Sequence, residues 1–364
     1  MDVYPLIFEP IFKERIWGGR RLETLLRKRL PPGRSIGESW ELSDVAGDVS
    51  IVSNGPAKGR RLSDLVSEWG AKLTGRADLH GGRFPLLIKF LDARETLSVQ
   101  VHPSEKTAAE SGGRLAIKNE AWYVMEASED SFFYHGLRNE CTKDGLREAL
   151  RAGSVESALR KIPARKGHCF YLPSGTVHAL GKGIVVAEVQ TPSDVTFRLF
   201  DWNRVDGTTG RGRELHVEEG LDAAIEDSID AEVPPEHTAS VWTTVSRLAK
   251  SPSFVIERVR MVEGVELAIP YEELAVWIVL EGKGTIECAG YSEAVSFTVG
   301  DTVLLPAGLK DGGVRTQSPC VWLEVTIPSP SSLAAYPRLE LGSRSPWAQG
   351  EGAVVPLGIP KRNQ

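Results

Sequence analysis

Gly167-His-Cys-Phe-Tyr-Leu-Pro173-Ser-Gly175-Thr-Val-His178 and Gly300-Asp-Thr-Val-Leu-Leu-Pro306-Ala-Gly308-Leu-Lys-Asp311 carry one pattern, G-x5-P-x-G, 133 residues apart. Each is a glycine turn, a short apolar run and a Pro-x-Gly corner, which reads as a strand ending at a sheet rim. The repetition implies two halves built on one plan. The copies differ where chemistry would show, since the first ends in His178 and the second in Asp311.

Upstream of the first copy lies Ser98-Val-Gln-Val-His102-Pro. Successive side chains of a strand point to opposite faces, so Ser98, Gln100 and His102 project to one side and Val99 and Val101 to the other. One strand thus aims two metal-ligand types into the same space. Glu120 and His178 complete a set of imidazole, carboxylate and neutral amide oxygen that suits a borderline divalent ion such as zinc. A single carboxylate leaves the ion about one positive charge, and a small ligand set leaves room for water or substrate. No Gln-x-His strand precedes the second copy, so only the first half is expected to hold metal.

The chain has 364 residues, of which 41% are hydrophobic and 25% charged, as in a soluble protein large enough for two domains. A net charge of −6 without any basic run excludes a general nucleic-acid binder. The N-terminus lacks a basic segment followed by a long apolar one, and no 18-residue apolar stretch occurs, so no membrane span is expected and the cytoplasm is the default location. Cys141, Cys169, Cys288 and Cys320 form no C-x-x-C pair and read as reduced thiols. P-loop, G-x-G-x-x-G and G-x-S-x-G signatures are missing.

Helical periodicity appears at Ser63–Trp69, Thr142–Ile162 and His216–Ile229. Strand patterns occupy Phe84–Leu91, Leu97–Val101, Trp122–Glu126, Cys169–Leu172 and Ile184–Val189. Beyond residue 236 they dominate, with Glu281-Gly-Lys-Gly284 reading as a tight hairpin.

The repeated corner resembles the second half-motif of the cupin superfamily, a double-sheet jelly roll with a metal at its mouth. The implied fold is mainly β, two tandem cupin barrels with helical insertions in and after the first. The expected divisions are a catalytic metal-binding domain at 1–235, a second, metal-free domain at 236–327 and a Pro/Ser/Gly-rich extension at 328–364.

Longer motifs in order resemble the type I mannose-6-phosphate isomerases, short bacterial form. They are Pro10-Ile-Phe-Lys-Glu-Arg-Ile-Trp-Gly-Gly19, Gly37-Glu-Ser-Trp-Glu-Leu-Ser43, Arg83-Phe-Pro-Leu-Leu-Ile-Lys89-Phe-Leu-Asp92, Val99-Gln-Val-His-Pro103, Lys118-Asn-Glu120-Ala-Trp-Tyr123, Glu188-Val-Gln-Thr-Pro-Ser-Asp-Val-Thr-Phe-Arg198 and Arg213-Glu-Leu-His216. The resemblance implies one zinc per chain on Gln100, His102, Glu120 and His178, and an active-site arginine at Arg198. Lys118 matches an active-site lysine and Glu188 a cleft carboxylate.

The implied reaction interconverts mannose 6-phosphate and fructose 6-phosphate through a cis-enediol. It needs a base to move a proton between C1 and C2 and an electrophile for the enediolate oxygen. Arg198 cannot give up its proton, so it stabilises charge or orients the open-chain sugar. Glu188, Lys118 and metal-bound water all remain open as the base, while Ser98, Lys118 and Arg198 are the substrate-binding candidates. The expected partner is a small phosphosugar, with no nucleic acid or membrane, and the chain is expected to be a monomer. The alternatives are another metal-dependent cupin phosphosugar isomerase or epimerase, and a cupin that binds sugar without chemistry.

Overall fold

In the strand Glu120–Ala127, Trp122 and Val124 enter one apolar cluster while Ala121 and Tyr123 enter another. Both faces are buried, so this strand lies inside a layered structure. The computed structural model describes residues 2–205, 210–226, 236–269 and 272–328, which leaves all but the first residue of the expected extension 328–364 outside the described residues. Its chain is mainly β.

The first half is a sandwich of two antiparallel sheets. One has six strands in the order Cys169–Leu172, Glu120–Ala127, Ile184–Gln190, Leu87–Ala93, Ile11–Gly19, Ile36–Leu42. The other has five, in the order Leu159–Pro163, Phe132–Leu137, His178–Leu180, Val99–Val101, Phe197–Phe200. Trp122, Val124, Phe133, Phe170, Leu180 and Val186 pack between them. The helices Lys143–Arg151 and Val217–Ala223 cover the outer face of the five-stranded sheet, where Leu146 and Leu221 meet Val99, Val101 and Ala179.

The second half pairs a seven-stranded sheet with a four-stranded one. Its interior is filled by Trp277 and Trp322, stacked at 4.6 Å, with Met261, Ile286, Phe297 and Val303 around them. The N-terminal strand Leu6–Ile7 crosses over to pair with Thr302–Leu305, tying the halves together. A large apolar seam does the rest, where Tyr123, Val185 and Ala187 of the first half meet Ile256, Val276, Ile278 and Leu323 of the second. No helix among the described residues is long and apolar enough to cross a membrane.

Three local expectations change. The helix expected over Thr142–Ile162 stops at Arg151; Thr142 caps it by accepting from Gly145 N at 3.2 Å, and Gly153, at φ +69°, turns the chain away. Leu159–Pro163 is instead a strand paired with Phe132–Leu137, because its Leu159 side chain is needed in the apolar layer. The third helix covers Val217–Ala223 only, and residues 227–229 lie outside the described residues. Glu281-Gly-Lys-Gly284 is a corner between sheets: Ala275–Glu281 belongs to the seven-stranded sheet and Lys283–Cys288 to the four-stranded one. A Cβ on Gly282, at φ +85°, would lie 2.3 Å from Pro319 O. Gly282→Ala is therefore expected to destabilise the fold by about 1–3 kcal/mol or more. Chemical denaturation checks this, and an unchanged midpoint would contradict the corner assignment.

Candidate metal centre and active site

Strand pairing lays the polar side chains out in two facing rows. On the five-stranded sheet, His135 is opposite His178, His178 opposite Gln100, and Gln100 opposite Arg198, so all four share the inner face. On the six-stranded sheet, Phe170, Trp122, Glu188, Lys89 and Trp40 form one inner row by the same pairing, and Glu120 with Gln190 forms the next. Apolar inner residues occupy one end of the sandwich and titratable ones the other. Ser98 is buried one strand repeat before Gln100.

His102, Glu120 and His178 are buried, and their ligand atoms all lie within 4.8 Å of one another. His102 Nδ1 donates to Val195 O at 2.9 Å and His178 Nδ1 donates to Thr176 O at 2.8 Å. Each ring therefore turns its Nε2 inward, which is the orientation that outer hydrogen bonds impose on metal-binding imidazoles. His102 Nε2 is 3.3 Å from Glu120 Oε2, and His178 Nε2 is 3.1 Å from Glu120 Oε1. Neither carboxylate oxygen nor His102 Nε2 has a hydrogen-bond partner. Lone pairs facing a buried carboxylate are costly unless a cation lies among them, so the donor set fits a metal ion. Gln100 donates from Nε2 to His178 Nε2 at 3.2 Å, placing its amide beside the cluster. Burial, with Lys118 adding to it, pushes His102 down to about 3, so its ring is neutral near pH 7. Burial alone would raise Glu120, but Lys118 and the two imidazoles hold it well below the usual carboxylate range.

A chain of alternating charge backs this cluster. Lys118 Nζ is 3.2 Å from Glu120 Oε2, and Lys89 Nζ is 3.3 Å from Glu188 Oε1. Glu188 Oε2 accepts from Trp122 Nε1 at 3.0 Å, while its Oε1 has no hydrogen bond. Lys89 also lies 4.8 Å from the Trp40 ring centroid, and Trp40 Nε1 donates to Glu38 at 2.7 Å. Arg15 Nε closes the chain on Glu38 at 2.6 Å. Burial raises Glu188, Lys89 opposes this and Glu120 reinforces it, with a net upward shift. For Lys118, burial works downward but Glu120 and Glu188 outweigh it, and the ammonium is held charged. Arg198 is half-buried, with Nη1 donating to Glu214 O at 2.8 Å and Nε without a partner. Asp201, its nearest acidic neighbour in the chain, is engaged by Arg213 at 2.6 and 2.8 Å.

The profile described as "Phosphomannose isomerase type I, catalytic domain" matches residues 6–131. The mannose-6-phosphate isomerase ManA of Bacillus subtilis is 35% identical over 322 residues, covering 88% of this chain and 99% of the Bacillus chain. The chain belongs to the type I phosphomannose isomerases. A mannose-6-phosphate isomerase of Streptococcus mutans is 36% identical over 308 residues, covering 84% of this chain and 93% of its own. The crystal structure of the mannose 6-phosphate isomerase from Bacillus subtilis superposes with a TM-score of 0.80 at 32% identity, covering 89% of this chain and all of that one.

In this phosphomannose isomerase chain, Lys89, Glu38 and His135 join the inner rows although motif reading gave them no role. Lys89 had a signal, as the one cation in the apolar run Leu86–Leu91. His135 stands behind His178 with Nε2 donating to Tyr171 O at 3.0 Å and Nδ1 accepting from Arg160 at 3.2 Å. Both bonds need a neutral ring, and burial pushes His135 down to about 4. The unfolded chain takes up a proton near pH 6.5 that the folded chain refuses until about pH 4, so stability is full above 6.5 and falls across that window. Metal-free protein is expected to lose about 3 kcal/mol from this ring between pH 7 and 4. His135→Gln should flatten that decline in denaturation midpoints; an unchanged pH slope would contradict the assignment.

Proposed function

We propose that the chain is a zinc-dependent mannose-6-phosphate isomerase that interconverts mannose 6-phosphate and fructose 6-phosphate through a cis-enediol. Family membership supplies the reaction. The observation that carries the reading is the meeting of two inward-facing Nε2 atoms with the buried Glu120 carboxylate, at 3.3 and 3.1 Å. His102, His178 and Glu120 would hold one zinc ion, and Gln100 would be the neutral fourth ligand through its Oε1, with the amide turned over from the orientation that faces His178. Bound zinc supplies Lewis acidity for sugar oxygens next to the carbon that loses its proton.

The remaining roles belong to side chains around the cluster. Glu188 is the proton carrier between C1 and C2: its Oε1 has no hydrogen bond, and burial makes a carboxylate more basic. Lys118 is less suited, because its contact with Glu120 favours the charged ammonium; it serves as a fixed positive charge for substrate. Arg198 carries an unpartnered Nε and stabilises the charge that develops on the open-chain sugar. Ser98 and Lys118 join Arg198 as substrate contacts. The reading keeps residues 1–235 as the catalytic unit, 236–327 as a metal-free second cupin domain and 328–364 as an extension.

A coupled assay for fructose 6-phosphate formation tests the function. Turnover should vanish on chelation and return with zinc, and chelator-insensitive turnover would contradict the metal role. Glu188→Gln and Arg198→Ala should remain folded and zinc-loaded while kcat falls by about 10²–10⁴ and 10²–10³ respectively. Wild-type kcat in either variant would remove the role given to that residue.

A further inference from the structure

The seam between the two sandwiches contains a cavity of about 350 Å³, away from the metal cluster. Strand alternation brings cations to it. Ile256 faces the seam core while Val259 and Met261 face the second sandwich's interior, so Arg258 and Arg260 project from the seam side of Val255–Met261. Tyr123 and Met125 reach the same cavity from the outer face of the strand whose inner face carries Glu120. Lys166 enters from the loop ahead of Cys169–Leu172.

Arg258 is the informative residue. Its Nε is closed off from solvent and meets no acceptor, while its guanidinium lies against the hydroxyl of the buried Tyr123. Gly167, at φ +91°, lies beside it, and a Cβ there would be in ordinary contact with Arg258 Nη1 at 3.5 Å. Glu126 and Glu281 also line the cavity, yet no carboxylate among the described residues is ion-paired to Lys166, Arg258 or Arg260. A buried charged N–H without an acceptor is a costly arrangement that a bound oxyanion relieves, and guanidinium forks match tetrahedral oxyanions.

We propose that this seam cavity is a second anion site, separate from the sugar site, that takes the phosphate group of a small phosphorylated metabolite. Lys166, Arg258 and Arg260 grip the phosphate, and Leu25, Met125 and Val321 offer an apolar wall to the rest of the molecule. The ligand bridges the halves behind two strands that support the metal cluster, the one with Glu120 and the one leading to His178.

Met125 provides a local reporter, since the chain has three methionines and, of the two among the described residues, Met125 lines the cavity and Met261 does not. The full zinc-loaded chain, labelled with ¹³C at the methionine methyls, is titrated with inorganic phosphate at constant ionic strength, with Met125→Leu fixing the assignment. The Met125 signal is expected to shift saturably while the interior Met261 stays still. In the double variant Lys166→Ala/Arg260→Ala, which alters two exposed side chains, the midpoint should rise at least ten-fold; in Arg198→Ala it should not change. A motionless Met125 signal, or the same midpoint in the double variant, overturns the proposal. Loss of the shift in Arg198→Ala also overturns it, because the signal would then come from the sugar site.

Discussion

Two backbone carbonyls, Val195 O and Thr176 O, determine what the centre of this protein can do. By accepting the Nδ1 protons of His102 and His178, they turn both Nε2 atoms toward Glu120. Lys118 Nζ reaches only one carboxylate oxygen, Oε2, at 3.2 Å, so the two Nε2 atoms and Oε1 face a space that suits a metal cation. The first sandwich places three strands to create this meeting point: Val99–Val101 leads into His102, Glu120–Ala127 begins with the carboxylate, and His178–Leu180 begins with the second imidazole. The Pro173-Ser-Gly175 corner positions the last of these. At Gly175, φ is +89°, and its amide donates to His102 O at 3.1 Å, joining the two histidine segments directly.

Buried ions usually cost more in desolvation than their attraction returns. The inner face nevertheless holds Glu120, Lys118, Glu188, Lys89 and Glu38, all buried and alternating in sign in that order toward partly exposed Arg15. Each ion meets an opposite charge or an indole N–H, and the pairing tolerates them together where any one alone would be expelled. This arrangement holds an ammonium and a carboxylate of raised basicity beside the same water-poor space. The second sandwich has a row of its own but no histidine cluster among its described residues: Trp277 Nε1 donates to Glu324 at 2.9 Å, Arg247 pairs with Glu257 at 3.0 Å, and Trp277 and Trp322 stack in the volume beside them.

Much of this was legible from strand alternation. Gln100 and His102 share a face because they are two apart, and the copy ending in His178 rather than Asp311 marked which half carries chemistry. What escaped reading depended on contacts distant in sequence. A glycine between two strands looks alike whether it closes a hairpin or turns a corner between sheets, and only the positions of Pro319 and Cys320 against Gly282 decide for the corner. Residues 159–163 have residues suited to either a helix or a strand, and pairing with Phe132–Leu137 settles the choice. Lys89 sits in a run that reads as core, and its role depends on Glu188 directly across the sheet, about a hundred residues away. The crossing of Leu6–Ile7 to the second half's sheet has no local signal at all.

The central claim, that two imidazoles and one carboxylate meet around a cation, is tested most directly by zinc K-edge X-ray absorption on the zinc-loaded chain. The account predicts a first shell of nitrogen and oxygen alone at about 2.0–2.2 Å, with the outer-shell scattering of two imidazoles. A sulfur shell near about 2.3 Å, or a spectrum without imidazole scattering, would contradict it.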